Sequence, residues 1–167
     1  MQTKTLILDN VQIDQKISRI AWQLYEDNAS ETEIVIAGIL KSGYAVAEKI
    51  AVALKKISSL NVQLVTISIN KHSQHDEAVK LSVEKDALKG KTVIVVDDVL
   101  NSGKTMMYAL RPFLSADLNK LRTVVLVDRN HKRYPVSADF AGLTLATTLQ
   151  ELVSVVLDES LEGVYLS

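Results

Sequence analysis

The chain has 167 residues, 47% of them hydrophobic, with 19 Lys or Arg against 20 Asp or Glu for a formal net charge of -1 at pH 7. That is enough apolar material for one full core, while the balanced charge gives no whole-protein footprint for nucleic acid and the lack of cysteine removes disulfides, thiolate chemistry and cysteine-ligated metals. No apolar run approaches the ~18 residues of a membrane span, and the first ten residues lack the charged-then-apolar layout of a signal peptide, so a cytoplasmic location is expected.

Helical and strand signals alternate along the chain. Ile13, Ile17, Ile20 and Leu24 recur at helical spacing and predict an amphipathic helix over 11–28. A short apolar strand over 33–40 runs into Lys41, Ser42 and Gly43, and a helix over 45–57 repeats the period through Val46, Ile50, Ala53 and Leu54. A strand over 62–69 precedes a polar stretch, 70–91, with one weak strand-like piece at 81–83. Strand 93–96, helix 103–115 and strand 123–127 form a second β-α-β unit, in which Pro112 is expected to kink or shorten the helix by removing an amide donor. The stretch 129–142 reads as a basic loop and a shorter strand, and 152–157 and 163–166 as a strand and a short closing element. The pattern is α/β throughout, with no repeat and no domain-scale linker.

The most informative segment is 93–105, Val-Ile-Val-Val-Asp-Asp-Val-Leu-Asn-Ser-Gly-Lys-Thr. Its continuous apolar start predicts a strand covered on both faces. Asp97 and Asp98 then stand at its carboxyl end, where open α/β sheets bind ligands. Asn101, Ser102, Gly103, Lys104 and Thr105 form a small, hydroxylic turn whose backbone N–H groups can converge on an anion at the start of a helix. Gly103-Lys104-Thr105 imitates the end of a Walker A loop, but that pattern needs a glycine where this chain has Asp98. Ionised aspartates are acceptors only and suit the vicinal hydroxyls of a ribose. The plainer alternative is that Asp97 and Asp98 end a strand and Ser102 caps a helix. A second glycine-flanked turn, Gly38 to Tyr44, offers another anion site through Lys41, Ser42 and Gly43, although such a turn alone is more often ordinary loop geometry. In the polar stretch Lys71, His72, His75, Lys80 and Lys85 are basic candidates, and His72 with His75 lacks the third ligand a metal site needs.

Residues 93–105 resemble the phosphoribosyl pyrophosphate (PRPP) motif of the type I phosphoribosyltransferases: a hydrophobic strand, two acidic residues, two apolar residues and a Thr/Ser-Gly-rich turn. The family resemblance implies a mainly parallel twisted sheet flanked by helices. It also implies a small hood made from parts of the N-terminus and 129–167, the whole chain 1–167 being one domain. Asp97 and Asp98 would be the catalytic pair and, with Asn101 to Thr105, would bind PRPP. Lys41, Ser42 and Gly43 would form the pyrophosphate loop. The polar stretch 70–91 takes the place of a loop that closes over the reacting centre and excludes water.

Residues 124–142, with Val-Asp-Arg-Asn-His-Lys-Arg-Tyr-Pro and then Ala-Asp-Phe, resemble more narrowly the pyrimidine operon regulator/uracil phosphoribosyltransferase branch. Asp128 and Arg129 would then stand at the base and the hood. Related 6-oxopurine enzymes place a lysine where this chain has Asp128, which argues against hypoxanthine or guanine, and often an aspartate where it has Asn101, whose amide cannot act as a general base. The resemblance implies Mg²⁺ held mainly by PRPP and water, with no protein metal site, and a homodimer or higher homo-oligomer. It implies transfer of phosphoribose from PRPP to a nucleobase with release of pyrophosphate. A second reading stays open: a PRPP-sensing regulator, acting on pyrimidine genes through RNA, with little transferase activity. Arg129, His131, Lys132 and Arg133 are the one dense basic run such a role would use.

Overall fold

The computed structural model describes residues 4–70, 79–146, 151–158 and 160–167. In chain order its elements are β1 (Thr5–Asp9), α1 (Asn10–Asp27), β2 (Glu33–Ile39), α2 (Ser42–Ile57), β3 (Asn61–Ile69), β4 (Val79–Leu81), a short 3-10 turn (Lys85–Leu88), β5 (Thr92–Leu100), α3 (Lys104–Leu114), β6 (Lys120–Asp128), β7 (Phe140–Thr144), β8 (Val153–Val156) and β9 (Gly163–Leu166). Six strands form one sheet in the order β4-β3-β2-β5-β6-β7. All neighbours in it run parallel except β3 and β4. The unbroken apolar runs of β2, β5 and β6 occupy its middle, where Ile34, Ile36, Ile94, Val96, Val124 and Leu126 are fully buried, because a central parallel strand is covered on both faces.

Helices α1 and α2 cover one face and α3 the other. On the first, Ile13, Ile17, Ile20 and Leu24 of α1 and Val46, Ile50 and Leu54 of α2 pack on Ile36, Ile94 and Val96. On the second, Met106, Ala109 and Phe113 of α3 pack with Val93, Val95 and Val125. Asp9 starts α1 with a capping box: its Oδ1 accepts from the Gln12 amide at 2.8 Å, and its own N–H donates to Gln12 Oε1 at 3.0 Å. Pro112 lies in the last turn of α3, which runs on to Leu114, within a residue of the end its periodicity predicts.

The end of α1 is tied to the start of β6 by charge. Asp27 pairs with Lys120 at 3.0 Å and Arg122 at 3.1 Å. The Arg122 hydrogen bond holds the Asp27 carboxyl below its ordinary range; burial opposes this, and Lys120 adds to it. A depressed carboxyl pKa contributes stability above the unfolded-state value and loses it as pH falls through the folded one. Asp27→Asn is therefore expected to lower stability at pH 7 by about 1 kcal/mol, with the gap from wild type closing below about pH 4. Urea unfolding at pH 7 and pH 3 checks both the size and the sign.

A three-stranded antiparallel sheet, β1-β9-β8, stands apart as a hood. Leu8, Val153 and Val164 join it to the α1–α2 core, and Lys49 of α2 reaches Glu162 at 2.7 Å and Asp14 at 3.5 Å. Strand β1 is not legible as such in the sequence. It is short and half-exposed, and its partner β9 lies at the far end of the chain. Three boundaries also move by three residues or more, among them the start of β6, at Lys120 where the sequence predicts 123. Helix α2 starts at Ser42 where the periodicity predicts 45, and β5 runs to Leu100 where the apolar run predicts 96.

Candidate functional site

The longer β5 changes the setting of the two aspartates. Its pairing with β2 stops at Gly38 opposite Val96, while its pairing with β6 continues through Asp97 opposite Val125 to Leu100 opposite Asp128. Asp97 and Asp98 thus lie inside the strand rather than after it, at the point where one edge is released from its neighbour. Asp97 is buried and Asp98 half-buried. Asp97 Oδ1 accepts from the Asp98 amide and Asp98 Oδ1 from the Val99 amide, both at 2.9 Å, so each carboxylate is oriented by the backbone beside it.

Gly103 follows with φ at +87°, the left-handed region that favours glycine. A Cβ there would stand 2.5 Å from Val136 Cγ1. Gly103 is the N-cap of α3 and carries no side chain to cap it, while Ser102 Oγ accepts a 3.3 Å hydrogen bond from the Lys104 amide, the part of the turn that the capping alternative accounts for. Asn101 and Lys104 are exposed, and Ser102 and Thr105 half-buried. The loop after β6 folds back on this turn, with the amides of Arg133 and Tyr134 donating to Ser102 O at 2.8 and 3.0 Å. These backbone contacts leave no signal in the sequence.

The second turn meets β5 beside Asp97. Leu40 donates its amide to Ile67 O at 2.9 Å, and the Leu40–Lys41 peptide is cis. Lys41 is exposed and is the N-cap of α2, whose first amides also lack a side-chain cap. Ser42 and Gly43 lie within the first helical turn instead of preceding it. A Cβ on Gly43 would be 2.8 Å from Val96 O, 2.9 Å from Asp97 Cα and 3.0 Å from Asp97 Oδ1. Glycine is thus required for the start of α2 to lie against the aspartate pair. Two uncapped helix N-termini, each able to receive an anion, flank two carboxylates.

Asp128 and Arg129 are both buried at the end of β6. Asp128 serves its own loop: Oδ1 accepts from the Asn130 amide at 2.8 Å and Oδ2 pairs with Lys132 at 3.1 Å. Arg129 Nη1 donates to Asn101 Oδ1 at 2.9 Å, and its Nη2 donates to the Glu151 carbonyl. Asp139, in the Ala-Asp-Phe stretch, clamps β6, its Oδ2 accepting from the Thr123 amide at 2.8 Å. Lys71, His72 and His75 lie outside the described residues. Lys80 is exposed on β4, and Lys85 donates to Ser115 Oγ at 3.1 Å, beside the far end of α3. Among the described residues no group of three or more His, Asp or Glu could hold a metal ion, and no helix is long and apolar enough to cross a membrane.

The phosphoribosyl transferase domain family matches residues 4–159. The Bifunctional protein PyrR of Clostridium kluyveri is 32% identical to this chain over 168 residues, covering 95% of it and 93% of the relative. The protein of that name from Brevibacillus brevis is 32% identical over 166 residues, with the same coverage. Among solved structures, the hypoxanthine phosphoribosyltransferase of Trypanosoma cruzi superposes with a TM-score of 0.79 at 19% identity, over 97% of this chain and 95% of that one. A hypoxanthine-guanine phosphoribosyltransferase of Bacillus anthracis gives a TM-score of 0.79 at 21% identity, over 99% and 98%. At such identities the structural likeness speaks for the fold, which is the type I phosphoribosyltransferase fold.

Proposed function

Because this chain belongs to the phosphoribosyl transferase family, we propose that it transfers phosphoribose from PRPP to a nucleobase, most specifically uracil, at the site formed by 41–43 and 97–105. The observation that carries this reading is the apposition of two uncapped helix N-termini around two adjacent aspartates, which fits a substrate bearing two phosphate groups and a diol. In this reading the C1–oxygen bond to pyrophosphate breaks as a ring nitrogen of the base forms its bond to C1, and the nitrogen's proton leaves to solvent. Asp97 and Asp98 accept from the ribose hydroxyls and stabilise the positive charge that develops on the sugar ring. Backbone amides of 101–105, with the Ser102 and Thr105 hydroxyls, hold the 5′-phosphate; Lys41, Ser42 and Gly43 hold the pyrophosphate. Lys104 adds positive charge beside the cradle. Nothing in the site is a covalent nucleophile, so the rate rests on positioning and electrostatics.

Mg²⁺ would fit this site as an ion carried by the substrate, since magnesium keeps waters and prefers substrate phosphates. Asp97 and Asp98 are the carboxylates its waters would meet, and its chemistry would be to neutralise the leaving pyrophosphate.

The choice of uracil rests on the relatives named PyrR at 32% identity and on the carboxylate, not an ammonium, at 128. The word bifunctional in the name of those relatives keeps a second role in view, and the second reading is a PRPP-sensing regulator, acting on pyrimidine genes through RNA, with little or no transferase activity. The basic run speaks less for that role than its composition suggests, because Arg129 is buried and Lys132 is paired with Asp128. The test is pyrophosphate release from Mg-PRPP with uracil, hypoxanthine, guanine, xanthine, adenine and orotate in turn. Turnover with uracil alone is expected. Turnover with a purine would keep the transfer and remove the uracil assignment, and PRPP binding without turnover would leave the regulator.

A further inference from the structure

Arg129 is buried where the cradle turn, the end of β6 and the approach to β8 come together. It is 8% exposed, and burying a guanidinium requires partners for its donors. Its backbone amide donates to Leu100 O at 3.1 Å, Nη1 donates to Asn101 Oδ1 at 2.9 Å, and Nη2 donates to Glu151 O. Leu100 and Asn101 are the residues through which β5 enters the cradle turn. Glu151 stands two residues before β8, and the next residue, Leu152, exchanges backbone hydrogen bonds with Ser167 at 2.7 and 3.0 Å, continuing the β8–β9 ladder. One side chain therefore grips the cradle turn with one nitrogen and the hood with the other. A guanidinium suits this task because its donors diverge from a rigid plane, whereas a lysine offers a single point charge.

The neighbouring chemistry supports a mechanical role over contact with the base. Both terminal nitrogens of Arg129 are directed at protein oxygens on different elements, while the adjacent Asp128 is engaged by Asn130 and Lys132 within its own loop. Asn101 is suited to its half of the tie: a neutral amide oxygen accepts from Arg129 without placing a third carboxylate beside Asp97 and Asp98.

We propose that Arg129 is a positioning residue that couples the cradle turn to the hood, so that filling the cradle fixes the hood over the base. The inference rests on the proposed PRPP site, and its test separates the two. The tie itself is read in the unliganded protein by hydrogen exchange of the β8 and β9 amides, which reports local opening. Arg129→Met and Asn101→Ala are each expected to speed that exchange by about tenfold, the size of a typical coupling between sites. Asn101→Asp retains an oxygen for the guanidinium and is expected to keep wild-type exchange. The coupling is read by adding Mg-PRPP to saturation, with binding followed by calorimetry: hood exchange slows in wild type and no longer responds in Arg129→Met that still binds PRPP. In steady state Arg129→Met raises KM for the base more than KM for PRPP. Asn101 is exposed, so Asn101→Ala is a variant that folds even where Arg129→Met does not. Unliganded hood exchange unaffected by Asn101→Ala overturns the tie, and a hood that ignores bound PRPP in wild type overturns the coupling. Failure of PRPP to bind at all overturns the site reading together with the coupling, while the unliganded comparison still decides the tie.

Discussion

Replacing both aspartates, Asp97→Asn with Asp98→Asn, is expected to lower kcat/KM for PRPP by about 10² to 10⁴. Each ionised carboxylate that accepts from a sugar hydroxyl makes a charge-assisted bond of about 1.5–3 kcal/mol, and each tenfold in rate corresponds to about 1.4 kcal/mol. An amide keeps the acceptor oxygen and loses the charge, so the part of the effect that falls on kcat reports stabilisation of the positive ring. The fold should persist. Asn Oδ1 can accept from the amides of Asp98 and Val99 as the native carboxylates do at 2.9 Å, and the strand around them stays paired to β6. A thermal melt within a few degrees of wild type, beside the lost turnover, would place the defect in chemistry. Equal loss of both would mean that the pair holds the strand together.

Gly43→Ala is expected to be nearly as damaging, for a steric reason. The added methyl would meet Val96 O at 2.8 Å and Asp97 Cα at 2.9 Å, and both are backbone atoms of a central strand that cannot rotate aside. Helix α2 has to withdraw, which carries Lys41 and Ser42 away from the aspartates. Overpacking of this kind costs about 1–3 kcal/mol of stability, and a misplacement of about 1 Å at a catalytic constellation costs on the order of 10²-fold in rate. The expected signature is a modest fall in Tm with a large rise in KM for PRPP or pyrophosphate. A variant with wild-type kinetics would show that the start of α2 takes no part in substrate binding.

Much of this arrangement is legible in the sequence because its central parts are local. The apolar runs of β2, β5 and β6 carry their own burial, and the carboxylate pair and small-residue turn lie within one stretch of thirteen residues. The contacts between distant segments are less legible. The approach of Gly43 to Asp97 joins residues 54 positions apart, and its only local mark is a glycine in an otherwise unremarkable turn. The Ser102 carbonyl is met by backbone amides of 133 and 134, which any sequence would supply. Strand β1 has an apolar run of only three residues, Leu6 to Leu8, and its partner β9 is a four-residue strand, so neither shows periodicity strong enough to pair them. Arg129 reads as one member of a basic run. Its separation from His131, Lys132 and Arg133 depends on β6 ending at Asp128, which buries the first of the run and leaves Lys132 and Arg133 in the exposed loop.

Calorimetric titration of the chain with PRPP in the presence of Mg²⁺, wild type beside the Asp97→Asn/Asp98→Asn variant, tests the central assignment most directly. The account predicts saturable binding of one PRPP per chain, weakened at least about 100-fold in the variant, in line with the loss of two charge-assisted contacts. Binding of equal strength in both proteins, or none in the wild type, would contradict it.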